Sequence, residues 1–293
     1  MEMDNTEKTV HSWHFLNNFH LKLIAIITMT FDHIGVFLSL YFLGLNHPVY
    51  IAFRIIGRLS LPLFAFMTFE AVMHTKHFGK YILRLGILAT TISIALAVMV
   101  YGFSYQRDFG NIFIDLILGA VGVYCLKDKR IGIKALAILP LIFVGLSTYT
   151  AYEESYGLMI HWFPFFLRCQ YHYFGVGLIY GYYGCYLLKE MFLDDYSQRS
   201  GLDKELLVGT TTEQSIFNII AAFWTIGFAI LFAFFNFGLI ILGSLQFYAV
   251  ISGALLLFYN GKCGYNSKWF QYGMYAYYPL HIAILYLIFE LLV

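Results

Sequence analysis

Charge is scarce in this chain. Asp, Glu, Lys and Arg make up 12% of its 293 residues, against about a quarter in a soluble domain. With 60% hydrophobic residues and a mean hydropathy of +0.71, too little polar surface remains to coat a water-soluble body. The 18 Lys and Arg nearly balance the 17 Asp and Glu, for a net charge of +1. No basic run offers a footprint for a phosphate backbone, so nucleic-acid binding is excluded as a main role. Cysteine is equally sparse. Cys125, Cys169, Cys185 and Cys263 lie in separate segments, with no CxxC pair and no Cys/His zinc spacing, so they read as single reduced thiols and no metal is expected. There is no GxSxG elbow and no HExxH, which removes a hydrolase nucleophile elbow and a zincin. The first twenty residues lack the short apolar core and small-residue cleavage site of a secretory signal. They are expected to be retained as a cytoplasmic interfacial segment.

What the chain has in quantity is long apolar runs and aromatic side chains, 20% of it, with 24 Tyr and 30 Phe. Such residues favour lipid and the headgroup belts. A bilayer core takes roughly 20 apolar residues per helix. On that ruler the chain reads as an all-α, polytopic transmembrane helix bundle of about 9–10 spans, with nine at 21–45, 50–74, 80–102, 111–126, 134–151, 171–190, 214–236, 238–259 and 269–292. The stretch 155–170, interrupted by Pro164 and Arg168, suits a re-entrant or interfacial element better than a crossing. A single integral membrane domain, 1–293, is expected. A six-span part (21–190) and a three-span part (214–293) flank a cytoplasmic polar loop (191–213). Lys and Arg are held on the cytoplasmic side, and with the N-terminus inside, 14 of the 18 basic residues fall there. Gly175, Gly177 and Gly181 sit within an apolar span without a preceding strand, so they predict close helix packing rather than a nucleotide loop.

An ionisable group in the hydrocarbon core costs several kcal/mol, roughly 2.5–3.5 on insertion scales, and is by default a functional candidate. Few are present: Asp32 and His33 in the first span, Arg54, Arg58 and Glu70 in the second, Asn111 and Asp115 at the start of the fourth, and His281 after Pro279 in the last. At about 1.5 Å per residue, Asp32 and His33 lie about 17 Å from the inner end of their span, and His281 about 18 Å from the inner end of its own. Arg54 and Arg58 are four apart and share a helix face, so they need anionic partners, with Asp32 and Asp115 nearest. Asp32 and His33 point about 100° apart. This separates a charge pair with Arg58 from an imidazole facing a cavity. Two imidazoles and a carboxylate at mid-membrane can do base chemistry or relay protons. A buried ion pair that only fixes helix register accounts for the charges but not for the two histidines.

The segments LKLIAIITMTFDHIG (21–35), GRLSLPLFAFMTFEAVMHTKHFGKYILRLGILA (57–89), NIFIDLILG (111–119) and NGKCGYNSKWFQYGMYAYYPLHIAILYLI (260–288) resemble the TraX family of membrane proteins. The likeness covers about the first 125 and the last 35 residues, and the middle by hydropathy. It implies a membrane-embedded acetyltransferase, similar to the wider transmembrane acyltransferases that include heparan-glucosaminide N-acetyltransferase, with acetyl-CoA as donor and an intramembrane His. The family takes its name from a protein that acetylates a pilin N-terminus. By position, the family's DH pair falls on Asp32 and His33, its GR on Gly57 and Arg58, its Asn-x-x-x-Asp/Thr element on Asn111 and Asp115, and its PLH on Pro279 and His281. Cys263 stands where the closing loop of the family usually has a basic residue.

The expectation is acetyl transfer from cytoplasmic acetyl-CoA to an amine or hydroxyl of a membrane-associated or extracytoplasmic acceptor, such as a peptide N-terminus or a glycan, in a bacterial cytoplasmic membrane. His33 is the expected general base. Asp32 and Arg58 hold the helices in register, and Arg54, Asn111 and Asp115 complete the polar cluster around the acceptor. His281 bonds the thioester carbonyl or shuttles the proton, and Lys76, Lys80 and Lys262 meet the CoA phosphates. The rival is a proton-coupled transporter, for which an Asp/His chain would be the proton path.

Overall fold

The computed structural model describes residues 13–103, 110–158, 160, 162–237 and 244–292. Lys8, Arg107 and the 238–243 part of the eighth expected span lie outside them. Among the described residues every regular element is a helix, and the one β-type contact is an isolated bridge between Leu16 and Tyr259. In chain order the helices are α1 (Asn18–Leu38, continued by a π turn, Ser39–Leu43), α2 (Pro48–Gly57), α3 (Ser60–His74), α4 (Phe78–Phe103), α5 (Ile112–Lys127), α6 (Ile131–Ala135), α7 (Ile138–Ser155), α8 (His172–Ser200), α9 (Thr211–Phe237), α10 (Val250–Leu256) and α11 (Lys268–Leu292). The protein is an all-α, multi-pass bundle. Among the described residues six units are long and apolar enough to cross a bilayer: Asn18–Leu43, Pro48–His74, Phe78–Gly102, Ile131–Glu154, Thr211–Asn236 and Lys268–Leu292. The other three expected spans fall on the shorter α5, on α8 with its charged end, and on the apolar stretch Leu245–Leu256.

Local chemistry accounts for the helix ends. Asn17 caps α1 in a reciprocal box with His20, His47 caps α2 just ahead of Pro48, and Asn111 caps α5. The second span is broken rather than continuous. A straight helix through it would drive the Pro62 ring into the carbonyl of Arg58, and the chain turns at Arg58–Leu59 before α3 begins. Pro62 then sits in the first turn of α3, where its missing N–H leaves nothing unpaired. The polar loop expected over 191–213 is mostly helix: α8 runs on to Ser200 and ends at left-handed Gly201 (φ 68°). Its charged face keeps this extension soluble, with an Arg199–Asp195 pair four residues apart, and Lys204 returns to Glu190 and Asp194. Segment 155–170 does not cross. Beyond the end of α7 its described residues carry only a 3-10 turn, Phe165–Leu167, and it folds against the bundle through Ser93 Oγ donating to Phe166 O and Asn111 N–H to Arg168 O. Arg168 there is buried in an ion pair with Glu154, 2.7 Å.

Cross-contacts define the two ends of the bundle. At one end Lys127 Nζ donates to Met73 O, Tyr183 OH to Leu126 O, Asn18 N–H to Lys262 O, and Lys189 pairs with Glu213. All described lysines, from Lys22 to Lys268, lie towards this end. There too the Arg130 guanidinium bonds the Asp128 carboxylate and holds its pKa down to about 2. At the opposite end Tyr41 donates to Glu290, and Asp115 meets the start of α8. One continuous core draws on α1, α3, α4, α5, α8, α9 and the 245–259 stretch. The small residues of α8 let it close: a Cβ on Gly177 would strike the Phe228 ring at 2.6 Å, and one on Gly181 would overlap Trp224.

Candidate functional site

Two stations form on adjacent faces of α1, because Asp32 and His33 point apart as consecutive helical residues must. On the first, the carboxylate of Asp32 takes Arg54 Nη1 on Oδ2 at 2.5 Å and Arg58 Nη2 on Oδ1 at 3.3 Å. The four-residue spacing in α2 brings both guanidiniums to one carboxylate. Gly57 makes the approach feasible, since a Cβ there would overlap Asp32. Arg58 also donates to Gln246 Oε1 at 3.3 Å, and the rings of Tyr50 and Tyr171 lie 6.0 Å from Arg54 and Arg58 respectively.

On the second face His33 meets His281 of α11. His281 Nε2 lies 2.9 Å from His33 Nδ1, and His281 Nδ1 lies 2.9 Å from the carbonyl of Tyr277. A carbonyl only accepts, so His281 carries its proton on Nδ1 and, in the neutral pair, accepts from His33 Nδ1–H through Nε2. That assignment puts the lone pair on His33 Nε2, the state a general base needs, while the backbone of Met29 also bonds this ring. Both nitrogens of His281 are thereby committed within the protein, so of its two expected roles the bond to a thioester carbonyl has no free atom. Tyr277 stacks on His281 with centroids 4.9 Å apart and is pinned by Thr30, 2.6 Å from hydroxyl to hydroxyl. The ring of Tyr278 stands edge-on to both imidazoles and to Phe113.

Tyr277 and Tyr278 are also the inner wall of a cavity of about 580 Å³. It begins at the lysine-rich end, at Asn18, Lys22, His74, Thr75, Gly261, Cys263 and Gln271, and continues inward past Glu70, Tyr81, Phe64, Met67 and Leu88 to Met29, Ile112 and Phe113. Met29 is one turn before His33 on the same helix face. The imidazole pair therefore stands one ring layer behind the inner end of a mostly apolar tunnel. Glu70 in its wall accepts from Tyr259 OH at 3.2 Å.

The expected site residues divide accordingly. Asp32, Arg54 and Arg58 come together, and so do His33 and His281. Asp115 departs from expectation: it pairs with neither arginine but accepts the backbone N–H groups of Gln170 and Tyr171, at 2.7 and 3.2 Å, and so anchors the start of α8. Asn111 is fully buried. Its amide caps α5 and donates to Ala89 O and Ser93 Oγ, which leaves it no face towards a substrate. Lys76, Lys80 and Lys262 are exposed at the lysine-rich end but none lines the cavity, whereas Lys22 and His74 do. Lys22 belongs to the same charge bias as the others, and only the helix rotation shows that it faces inward. Glu70 was among the ionisable groups expected in the second span but was given no role, and Tyr277 and Tyr278 carried no signal of their own. Among the described residues no group of three or more His, Cys, Asp or Glu could hold a metal ion.

A model of the TraX family, described as TraX protein, matches residues 18–188, more than half the chain, and the protein belongs to that family. The match takes in both arginines and the Asp32–His33 pair. It extends further into the middle than the resemblance read from the motifs, and it stops short of His281 and the closing loop. A curated protein of Dichelobacter nodosus, described as "Probable fimbrial assembly protein FimC, serogroup H1", is 30% identical over 156 residues. That alignment takes in 50% of this chain and 62% of the relative's length. No solved structure matches the chain.

Proposed function

We propose that this protein is an acetyl-CoA-dependent acetyltransferase of the transmembrane acyltransferase type, embedded in a bacterial cytoplasmic membrane with its lysine-rich end in the cytoplasm. The observation that supports it is the His33–His281 pair, 2.9 Å apart, one ring layer beyond the inner end of a cavity whose lysine-rich end is lined by Lys22 and His74. A mostly apolar cavity with Lys22 at its outer end suits a thioester on a long flexible arm whose phosphates stay outside. Lys22 is the basic side chain at that mouth, with Lys76, Lys80 and Lys262 around it as longer-range charge.

In the proposed step, the ring of Tyr278 turns aside and the thioester carbonyl reaches the level of His33. His33 Nε2 takes the proton of the acceptor N–H or O–H as that heteroatom bonds the carbonyl carbon. The C–S bond then breaks, and the proton passes from His33 to the departing thiolate, giving CoA-SH and the acetylated acceptor. His281 holds the His33 tautomer and stabilises its protonated form. Exclusion of water by the surrounding rings limits simple hydrolysis of the thioester. The likeness to a protein described as a fimbrial assembly protein makes the N-terminal amine of a fibre subunit the first acceptor to test.

Thermal unfolding of the purified protein should shift upward with acetyl-CoA. His33→Ala should keep that shift while acetyl transfer to an acceptor falls by 10²-fold or more. Absence of any acetyl-CoA response in the wild type would remove the reading and favour the proton-coupled transporter.

A further inference from the structure

The charge station on α1 holds more positive charge than it neutralises. Among the described residues Asp32 is the only acid ion-paired with Arg54 or Arg58, and an arginine does not shed its proton in a protein. Asp115, the next carboxylate, is occupied by backbone N–H groups. Tyr171, which also hydrogen-bonds Arg58, and Tyr50 flank the pair, but as neutral phenols they carry no countercharge. The hydrogen bonds are unbalanced in the same sense: Arg54 Nε, Arg58 Nε and Gln246 Nε2 are all buried with no partner. These three side chains are tied to one another, Arg58 to Gln246 directly and the two arginines through Asp32. Buried donors left unpaired are costly, and such a group in a native protein calls for an acceptor. Planar guanidiniums accommodate carboxylate or phosphate oxygens especially well.

We propose that Arg54, Arg58 and Gln246 form an oxyanion site that takes a carboxylate or phosphate group. None of the three lines the tunnel, so the site lies beside it, on the neighbouring face of α1. Arg54, with 20% of its side chain accessible against 7% for Arg58, is the side from which an anion enters. The inference holds whether or not the chain transfers acetyl groups. If it does, the oxyanion belongs either to the acceptor, placed within reach of His33, or to the donor's own phosphates.

Gln246→Glu tests the site from inside, because it puts a carboxylate among the unpaired donors. Thermal unfolding of the full chain in detergent would be followed with sodium phosphate or sodium acetate, against sodium chloride at equal ionic strength. One of the oxyanions should raise the Tm of the wild type, by about 3 °C for each tenfold excess over Kd. Gln246→Glu should unfold at a higher temperature than the wild type without added anion and respond no further. Arg54→Gln should fold but lose the response. An acetyl-CoA shift that survives in Gln246→Glu assigns the oxyanion to the acceptor, and one that disappears assigns it to the donor phosphates. A wild type indifferent to both oxyanions, or a Gln246→Glu variant less stable than the wild type, overturns the proposal. A wild type that answers to phosphate or acetate but not to acetyl-CoA keeps this site and discards acetyl transfer.

Discussion

Asp32 serves two guanidiniums with two oxygens, and that ratio sets the order in which substitutions at this station do harm. Removing Arg58 alone leaves the carboxylate paired with Arg54, so Arg58→Ala should cost less than loss of a sole partner would. Removing Asp32 strands two buried cations at once. Breaking a buried pair typically costs about 3–5 kcal/mol, and Asp32→Ala should reach or exceed that range, ahead of either arginine variant. Denaturant or thermal unfolding of the three single variants gives the ranking. If Arg58→Ala proves the most damaging, the shared carboxylate is not what holds α1 to α2. The motif spacing in the sequence pointed to Asp32 as the partner of Arg58. Arg54 joined the same carboxylate because i and i+4 lie on one face, a relation visible without coordinates. Asp115 was misassigned for a legible physical reason: charge type alone names a candidate partner, but the backbone N–H groups that claimed it belong to Gln170 and Tyr171, residues 55 and 56 positions away.

Between helices, glycine sets how near the charge station can close. A Cβ at Gly57 would fall on the Asp32 side chain, whereas one at Gly184 in α8 would meet nothing within 4 Å. Gly57→Ala should therefore push α2 off α1 and cost about 1–3 kcal/mol through overpacking, while Gly184→Ala should be neutral or slightly stabilising because Ala suits a helix interior better. Equal unfolding temperatures for the two variants would contradict this packing. Helix existence was readable from long apolar runs, and the close packing at Gly177 and Gly181 from their small size. The helix ends were less so. The extension of α8 to Ser200 escaped a hydropathy ruler because Asp194, Asp195 and Arg199 read as loop composition, although they form the solvated face of a helix. The break at Arg58–Leu59 was not read, because 50–74 counted as one apolar run, although Pro62 stands four residues after the carbonyl it would strike. The tunnel was not legible at all: Lys22, Glu70, Tyr81 and Tyr278 come from four different helices, and only their packing makes them neighbours.

At the scale of the whole molecule, every described lysine lies towards one end while Asp115, Glu154 with its partner Arg168, and Glu290 lie at the other, and the functional reading depends on which end meets the cytosol. On the proposed reading the donor is cytosolic acetyl-CoA, and the cavity end at Lys22, His74 and Cys263 would then have to face the cytosol. The bias of Lys and Arg puts that end inside. Two exposed positions separate the ends: Lys129, in the turn between α5 and α6, and Tyr156, 71% accessible just beyond α7. Cys125, Cys169 and Cys185 are buried, and Cys263 is exposed, so a chain with all four replaced provides a silent background. In intact cells an impermeant maleimide should label Tyr156→Cys and spare Lys129→Cys, with Lys129→Cys reacting only after permeabilisation. In the same assay a cysteine restored at position 263 should behave like Lys129→Cys, because both sit at the lysine-rich end. Labelling of Lys129→Cys but not Tyr156→Cys in intact cells would turn the tunnel mouth away from the cytosol and remove the donor's route to His33. The His33–His281 pair would then face a ligand arriving from outside, as the transporter reading requires.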